Sequence, residues 1–176
     1  MIKKVFVFAF YFVTRALPIH IINLVMFWFP TDIISNHIRG FLVSPFLGKC
    51  GKKFQLGRGV ILNHPEKLYV GDGCYISHNC YVQANGKVVI GDYSTIGPMC
   101  IIASSKHIIN EGKVTNRGRS EPISIGSGTW IAGNVTIASG VSIGDNVVVG
   151  GGAVVTHDIP SGGFAVGVPA EVKRHC

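Results

Sequence analysis

Apolar and polar positions alternate along this chain with a period of six from Val70 to Val155. An aliphatic residue is usually followed by Gly, then by polar residues, then by a small residue four places after the aliphatic one. Examples are VGDGCY (70–75), IGDYST (90–95), IGSGTW (125–130) and IGDNVV (143–148). Ile125, Ile131, Ile137, Ile143, Val149 and Val155 keep the spacing without error, as do Val70, Ile76 and Val82 earlier. Six residues are too few for a helical repeat and match one short strand plus one corner of a parallel β-helix. Each aliphatic residue is expected to point inward. Cys74, Cys80, Ser94, Cys100, Thr129, Val135, Val141, Val147 and Ala153 then fill the narrower part of the interior. Gly, Asp and Asn suit corners, where φ is often positive.

The register slips by two between Val82 and Ile90, where Asn85 and Gly86 mark a bulged turn, and it breaks between Ile102 and Ile123. The break predicts a protruding loop at about 103–122, and so long an interruption of a regular coil points to function.

The first fifty residues follow another pattern. Residues 5–13 and 19–29 are almost wholly apolar, with Lys3 and Lys4 ahead of them and Arg15 and Pro18 between. A signal peptide would need a small-residue cleavage site, which is missing. One transmembrane helix over 5–29 would hold Arg15, Pro18, His20 and Asn23 inside the bilayer, which is costly. Two short helices broken at Pro18 fit better. They would lie in a membrane interface with Tyr11, Phe27, Trp28 and Phe29 as anchors and Lys3, Lys4, Arg15 and Arg39 near lipid phosphates. The alternative is that they cap the coil and pack on neighbouring subunits. Residues 31–50 read as a further helix and a linker. The chain therefore divides into an apolar helical segment, 1–50, and a coil, 51–176, of roughly five to six turns.

Sixteen Lys and Arg against nine Asp and Glu give a net charge of +7, which attracts anions. Nucleic acid is set aside, because the basic residues are scattered and form no recognised binding module. The five cysteines include no CxxC pair, so a zinc finger or redox motif is not indicated, and reduced thiols fit a cytoplasmic protein. Cys74, Cys80 and Cys100 occupy the inward small position, Cys50 precedes the coil and Cys176 ends the chain.

The hexads, His107 in IIASSKHIIN (101–110) and the return from Pro122 to Val172 (PISIGSGTW through GVPAEV) resemble the hexapeptide-repeat acyltransferases. Within that family the chain resembles the maltose and galactoside acetyltransferases and the colanic-acid or capsular O-acetyltransferases. The resemblance covers residues 51 to about 172. It implies an all-β, left-handed parallel β-helix; the period alone does not give the hand, and ordinary crossovers are right-handed. It further implies acetyl-CoA as acyl donor, no metal, and His107 as the general base that takes the proton of a sugar hydroxyl. Asn79 of ISHNCYV matches the family's acceptor-side Asn, although a plain corner role is equally open; Ser105 is placed on the acceptor side by its nearness to His107. Successive coils would hold the donor through Ala132, Gly133, Ser139 and Gly151, and Trp130 would flank the cofactor or pack between subunits. Relatives carry Lys after the segment matching VVT (154–156), whereas His157 stands here, leaving Lys173 and Arg174 as candidates for the CoA phosphates. The resemblance also implies a homotrimer with the site between subunits. The expected acceptor is a sugar or lipid-linked glycan of exopolysaccharide or capsule synthesis, which places the chain in the cytoplasm, peripheral to the inner membrane face through residues 1–30.

Three other readings stay in view. The γ-type carbonic anhydrases share the coil but hold zinc with three His, two spaced HxxxxH, whereas His64, His78 and His107 are widely separated. A non-catalytic scaffold would keep the coil without the His at the loop junction. An acyl carrier protein donor, or an amino-sugar or serine acceptor, would keep the chemistry and change the partner, although serine acetyltransferases carry a long helical N-terminal domain unlike these fifty residues.

Overall fold

A computed structural model describes residues 10–175. Lys3, Lys4, the first part of the 5–13 apolar run and Cys176 lie outside the described residues. The hexads form a left-handed parallel β-helix of about six turns built from three parallel sheets. One face stacks Lys49–Cys50, Leu68–Val70, Val88–Ile90, Ile123–Ile125 and Ser142–Ile143; the second runs from Gln55–Leu56 to Gly163–Val166; the third runs from Ile61–Asn63 to Val154–Val155. Cys50 therefore belongs to the first strand of the coil instead of preceding it. The strand Glu171–His175 closes the far end antiparallel to Gly163–Val166.

Register explains the period. Ile76, Ile96, Ile131 and Val149 pair directly in successive coils, so one aliphatic column runs up the inside of the second face. All nine small residues named above are buried, as the sequence predicts. Five of them do more than fit. Cys74 donates its S–H to the Gly91 carbonyl (2.9 Å), Cys80 to Gly97 (3.0 Å), Cys100 to Ala132 (3.0 Å), and Ser94 and Thr129 donate hydroxyls to Gly126 (2.6 Å) and Gly144 (2.8 Å). Each gives a corner carbonyl of the next coil a hydrogen-bond partner. Burial holds the Cys74 thiol above its usual range, so it remains a donor.

The corner glycines need a finer account than positive φ. Positive φ falls at the third corner position, at Asn79, Tyr93, Met99, Asn134 and Asn146. Gly126, which directly follows its aliphatic residue, has no positive φ; a Cβ there would run into the backbone of Gly144 and Asp145 in the next coil. That position is selected for coil-to-coil approach, not for conformation.

At the N-terminal end a wide π-helical turn, Phe12–Ala16, leads straight into the helix Leu17–Met26. The expected break at Pro18 does not occur: the wide π-helical turn lies immediately before the proline and carries the helix past it without interruption. The Leu17 N–H reaches five residues back to the Phe12 carbonyl. A second helix, Ile33–Val43, starts at Asp32, whose carboxylate accepts the Ile34 and Ser35 N–H groups at 2.8 and 3.0 Å and is held below its usual pKa by them. Gly40 lets this helix touch the Phe54 backbone of the first coil. Arg39 corrects another expectation. It is 1% exposed and cannot meet lipid phosphate; Nη2 donates to the carbonyls of Met26, Phe29 and Pro30, and Nη1 to Asn36 Oδ1. The arginine closes the open C-terminal end of the first helix, where a cation is favoured.

Candidate active site

The interruption at 103–122 is a β-hairpin, not an irregular loop. Ser105–Asn110 pairs antiparallel with Lys113–Ser120, with a bulge between His107 and Ile109. Glu111 and Gly112 both have positive φ, the geometry of a two-residue type I′ turn. The Glu111-Gly112 pair was the available sequence signal.

The hairpin is clamped to the coil at its foot. The buried Ser104 hydroxyl donates to the Gln83 carbonyl (2.6 Å) and accepts the Gly86 N–H (2.9 Å). The Glu121 N–H donates to the Ser104 carbonyl at 3.0 Å and to Ser139 Oγ at 3.3 Å. Lys106 and Arg119, on opposite hairpin strands, both pair with the Glu121 carboxylate at 2.9 Å. The Lys106 hydrogen bond and charge hold that carboxyl below the usual range.

His107 stands on the first hairpin strand, exposed, opposite Gly118. Its Nδ1 lies 3.1 Å from the Thr115 carbonyl. A carbonyl only accepts, so this contact makes Nδ1 the protonated nitrogen of the neutral ring and leaves the lone pair on Nε2. Beside the ring is a cavity of about 480 Å³ lined by Gln83, Asn85, Ser105, Lys106, Gly118 and Ser120 together with His107. Ser105 Oγ donates to Gln83 Oε1 at 2.8 Å, which ties the hairpin to the side chain of the coil above. Of the residues expected on the acceptor side, Ser105 is in this cavity and Asn79 is not. Gln83 and Asn85 were missed, since the sequence marked Asn85 only as part of a turn.

The remaining expected residues divide by edge. Asn79, Ala132, Gly133 and Gly151 belong to the corner between the second and third faces, with Trp130 in the strand leading to it. His107, Ser105 and Ser139 belong to the corner between the third and first faces, across a three-residue strand, on the order of 10–15 Å away. Asn79 takes the left-handed conformation also seen at Tyr93 and Met99, so the corner does not by itself require Asn. Next to it, His78 Nδ1 lies 3.1 Å from Ser77 Oγ, and burial lowers the His78 pKa. Lys173 Nζ is engaged by Glu171 at 2.7 Å, and the Arg174 guanidinium lies 4.9 Å from the Phe164 ring centroid. Among the described residues no group of three or more His, Cys, Asp or Glu could hold a metal ion.

Comparison with known proteins identifies the chemistry of this fold. The bacterial transferase hexapeptide (six repeats) family matches residues 122–157. The chain is 35% identical over 134 residues, 76% of this chain and 68% of the other, to the Saccharomyces cerevisiae protein named "Putative acetyltransferase YJL218W". Among solved structures, a maltose O-acetyltransferase from Clostridium difficile superposes with a TM-score of 0.79 at 27% identity, covering 93% of this chain and 87% of that one. A galactoside acetyltransferase in complex with coenzyme A gives 0.77 at 27% identity, with 90% and 79% covered. A hexapeptide-repeat acetyltransferase from Vibrio cholerae complexed with acetyl coenzyme A gives 0.77 at 25%, with 90% and 85% covered. With the six-residue coil, the hairpin that carries His107 and these relatives together, the chain belongs to the hexapeptide-repeat acetyltransferases.

Proposed function

We propose that the chain moves an acetyl group from acetyl-CoA to a hydroxyl of a sugar, by direct attack within a ternary complex, with His107 as the general base. The observation that carries this reading is the Thr115 carbonyl 3.1 Å from His107 Nδ1, which leaves Nε2 as the base beside a polar cavity. Nε2 takes the hydroxyl proton, the oxygen bonds to the thioester carbon, the carbon–sulfur bond breaks and the thiolate of CoA leaves, to be protonated in turn by the imidazolium. Gln83, Asn85 and Ser105 supply amide and hydroxyl groups of the kind that orient a sugar.

The donor strip is assigned to Ala132, Gly133 and Gly151, whose small size leaves the corner free of side chains, with the half-exposed Trp130 beside it. A Cβ on Gly152, next to Gly151, would meet nothing within 4 Å, which fits a surface open to a pantetheine arm. Because this edge and the His107 edge lie apart in one chain, a neighbouring copy must bring them together. A homotrimer with the cleft between subunits does so, and Asn79 then belongs to the acceptor side of the partner's hairpin. In this arrangement Ser139 serves by holding the hairpin foot, and Lys173 and Arg174 are left to meet CoA phosphate from the closing strand. The exposed apolar N-terminal segment favours a lipid-linked glycan of exopolysaccharide or capsule synthesis as acceptor, with the enzyme peripheral to the inner membrane face.

The test is thiol release from acetyl-CoA against a panel of sugars, nucleotide sugars and undecaprenyl-linked glycans, with the mass in solution measured alongside. Release that depends on a hydroxyl acceptor, from a particle of three chains, is expected. An active monomer would overturn the shared cleft.

A further inference from the structure

The helix Ile33–Val43 turns a row of apolar side chains to solvent. Ile34, Ile38, Phe41 and Leu42 share one helical face by their spacing and are 69%, 42%, 76% and 38% exposed. His37 lies on that face between Ile34 and Phe41. At the connection before this helix, Phe27, Trp28 and Phe29 are also exposed, Trp28 by 83%. No described helix is long and apolar enough to cross a membrane. An exposed apolar face with aromatic anchors on helices of this length is the signature of an element that lies in an interface.

Beside the row is a cavity of about 300 Å³ at the junction of this helix and the first corner of the coil, lined by His37, Gly40, Phe41, Cys50, Lys52 and Lys53 among others. No acid lines it. The Asp72 carboxylate stands against Gly51 of the cavity wall, where its Oδ1 accepts the Lys52 backbone N–H at 2.7 Å and not the ammonium. Neither the Lys52 nor the Lys53 side chain has an ion-pair partner among the described residues. Burial holds the Cys50 thiol up at about 11, so it adds no negative charge.

We propose that this cavity takes the phosphate of an anionic lipid headgroup, with Lys52, Lys53 and His37 around the phosphate and the Ile34–Leu42 face in the acyl boundary. The inference deepens the membrane location proposed above and rests on it. It extends the contact from residues 1–30 to the second helix and the first coil, where the sequence marked Arg39 alone. A second copy of the chain is a poorer occupant. Covering the face with protein would desolvate two unpaired ammonium groups, and with nine acids against sixteen bases the chain offers few carboxylates to meet them. A lipid phosphate meets the cations and the acyl chains meet the apolar row in one contact.

The experiment is flotation of the full chain with phosphatidylcholine vesicles, with and without phosphatidylglycerol. Binding is expected only with phosphatidylglycerol, weakening as salt rises. Lys52→Gln/Lys53→Gln should weaken it about twenty-fivefold, at roughly a fivefold loss per cation near the surface. Lys113→Gln, at the tip of the distant hairpin, should bind as wild type, and thermal melting of all variants should match. If the full chain binds but the double variant binds equally well, the headgroup cavity is wrong while the membrane location stands. If the full chain does not bind phosphatidylglycerol vesicles, both fall. Phe41→Ser that dissociates the oligomer without changing flotation would assign the face to a second copy and overturn the proposal.

Discussion

Replacing His107 by Ala should lower kcat by about two to four decades, the usual weight of a general base. Its side chain is exposed and its hydrogen bond is to a backbone carbonyl on the neighbouring hairpin strand, so the fold loses little when it goes. CoA affinity and assembly should stay near wild type, since His107 is assigned to the acceptor hydroxyl and the groups assigned to CoA are other residues. His107→Asn is the informative partner variant. Its amide nitrogen stands where Nδ1 does, so it can donate to the Thr115 carbonyl and keep the hairpin geometry, yet it offers no basic nitrogen, and it should be as inactive as Ala. Steady-state kinetics with CoA binding measured separately decides the matter: an active asparagine variant would reduce His107 to a positioning residue.

Ile96→Ala should cost about 2–5 kcal/mol, the range for truncating a fully buried aliphatic side chain. Ile96 is 0% exposed and sits between Ile76 and Ile131 in the inner column, so the deleted methyls leave a gap with packed coils on both sides. For a chain of this size that loss lowers Tm by about 4–20 °C. In a stacked repeat each coil also depends on its neighbours, and the damage should spread beyond one rung. Calorimetry of the variant checks this, and a loss under about 1 kcal/mol, the scale of a surface change, would contradict the inner column.

The coil was legible because its repeat is local. Each hexad must present one aliphatic and one small residue inward, and the spacing from Ile125 to Val155 states this without knowledge of any partner strand. The same locality hid other facts. Gly126 is set by the backbone of a coil eighteen residues away, and the hydroxyl and thiol bonds of Ser94, Thr129 and Cys74 by carbonyls one coil off. Arg39 read as a surface cation because the carbonyls that bury it come from residues 26–30, brought near only when the two helices pack. In the candidate site, His107 stood out by position, at the point where the period fails. Gln83 and Asn85 did not, because they join it only through coil stacking and the folding back of the hairpin. Asn79 shows the limit of carrying a motif over within one chain: its corner is not the His107 corner, and only a second copy would unite them.

The proposed chemistry is most directly tested by following the acetyl group. The chain is incubated with acetyl-CoA labelled in the acetyl carbon and with an accepted sugar, and the label is located in the products and on the protein by mass spectrometry during turnover. Direct transfer predicts an alkali-labile ester on the sugar, one CoA thiol released per ester formed, and no labelled protein at any time. Label trapped on a Cys or Ser of the chain, or an alkali-stable amide as the product, would contradict the account.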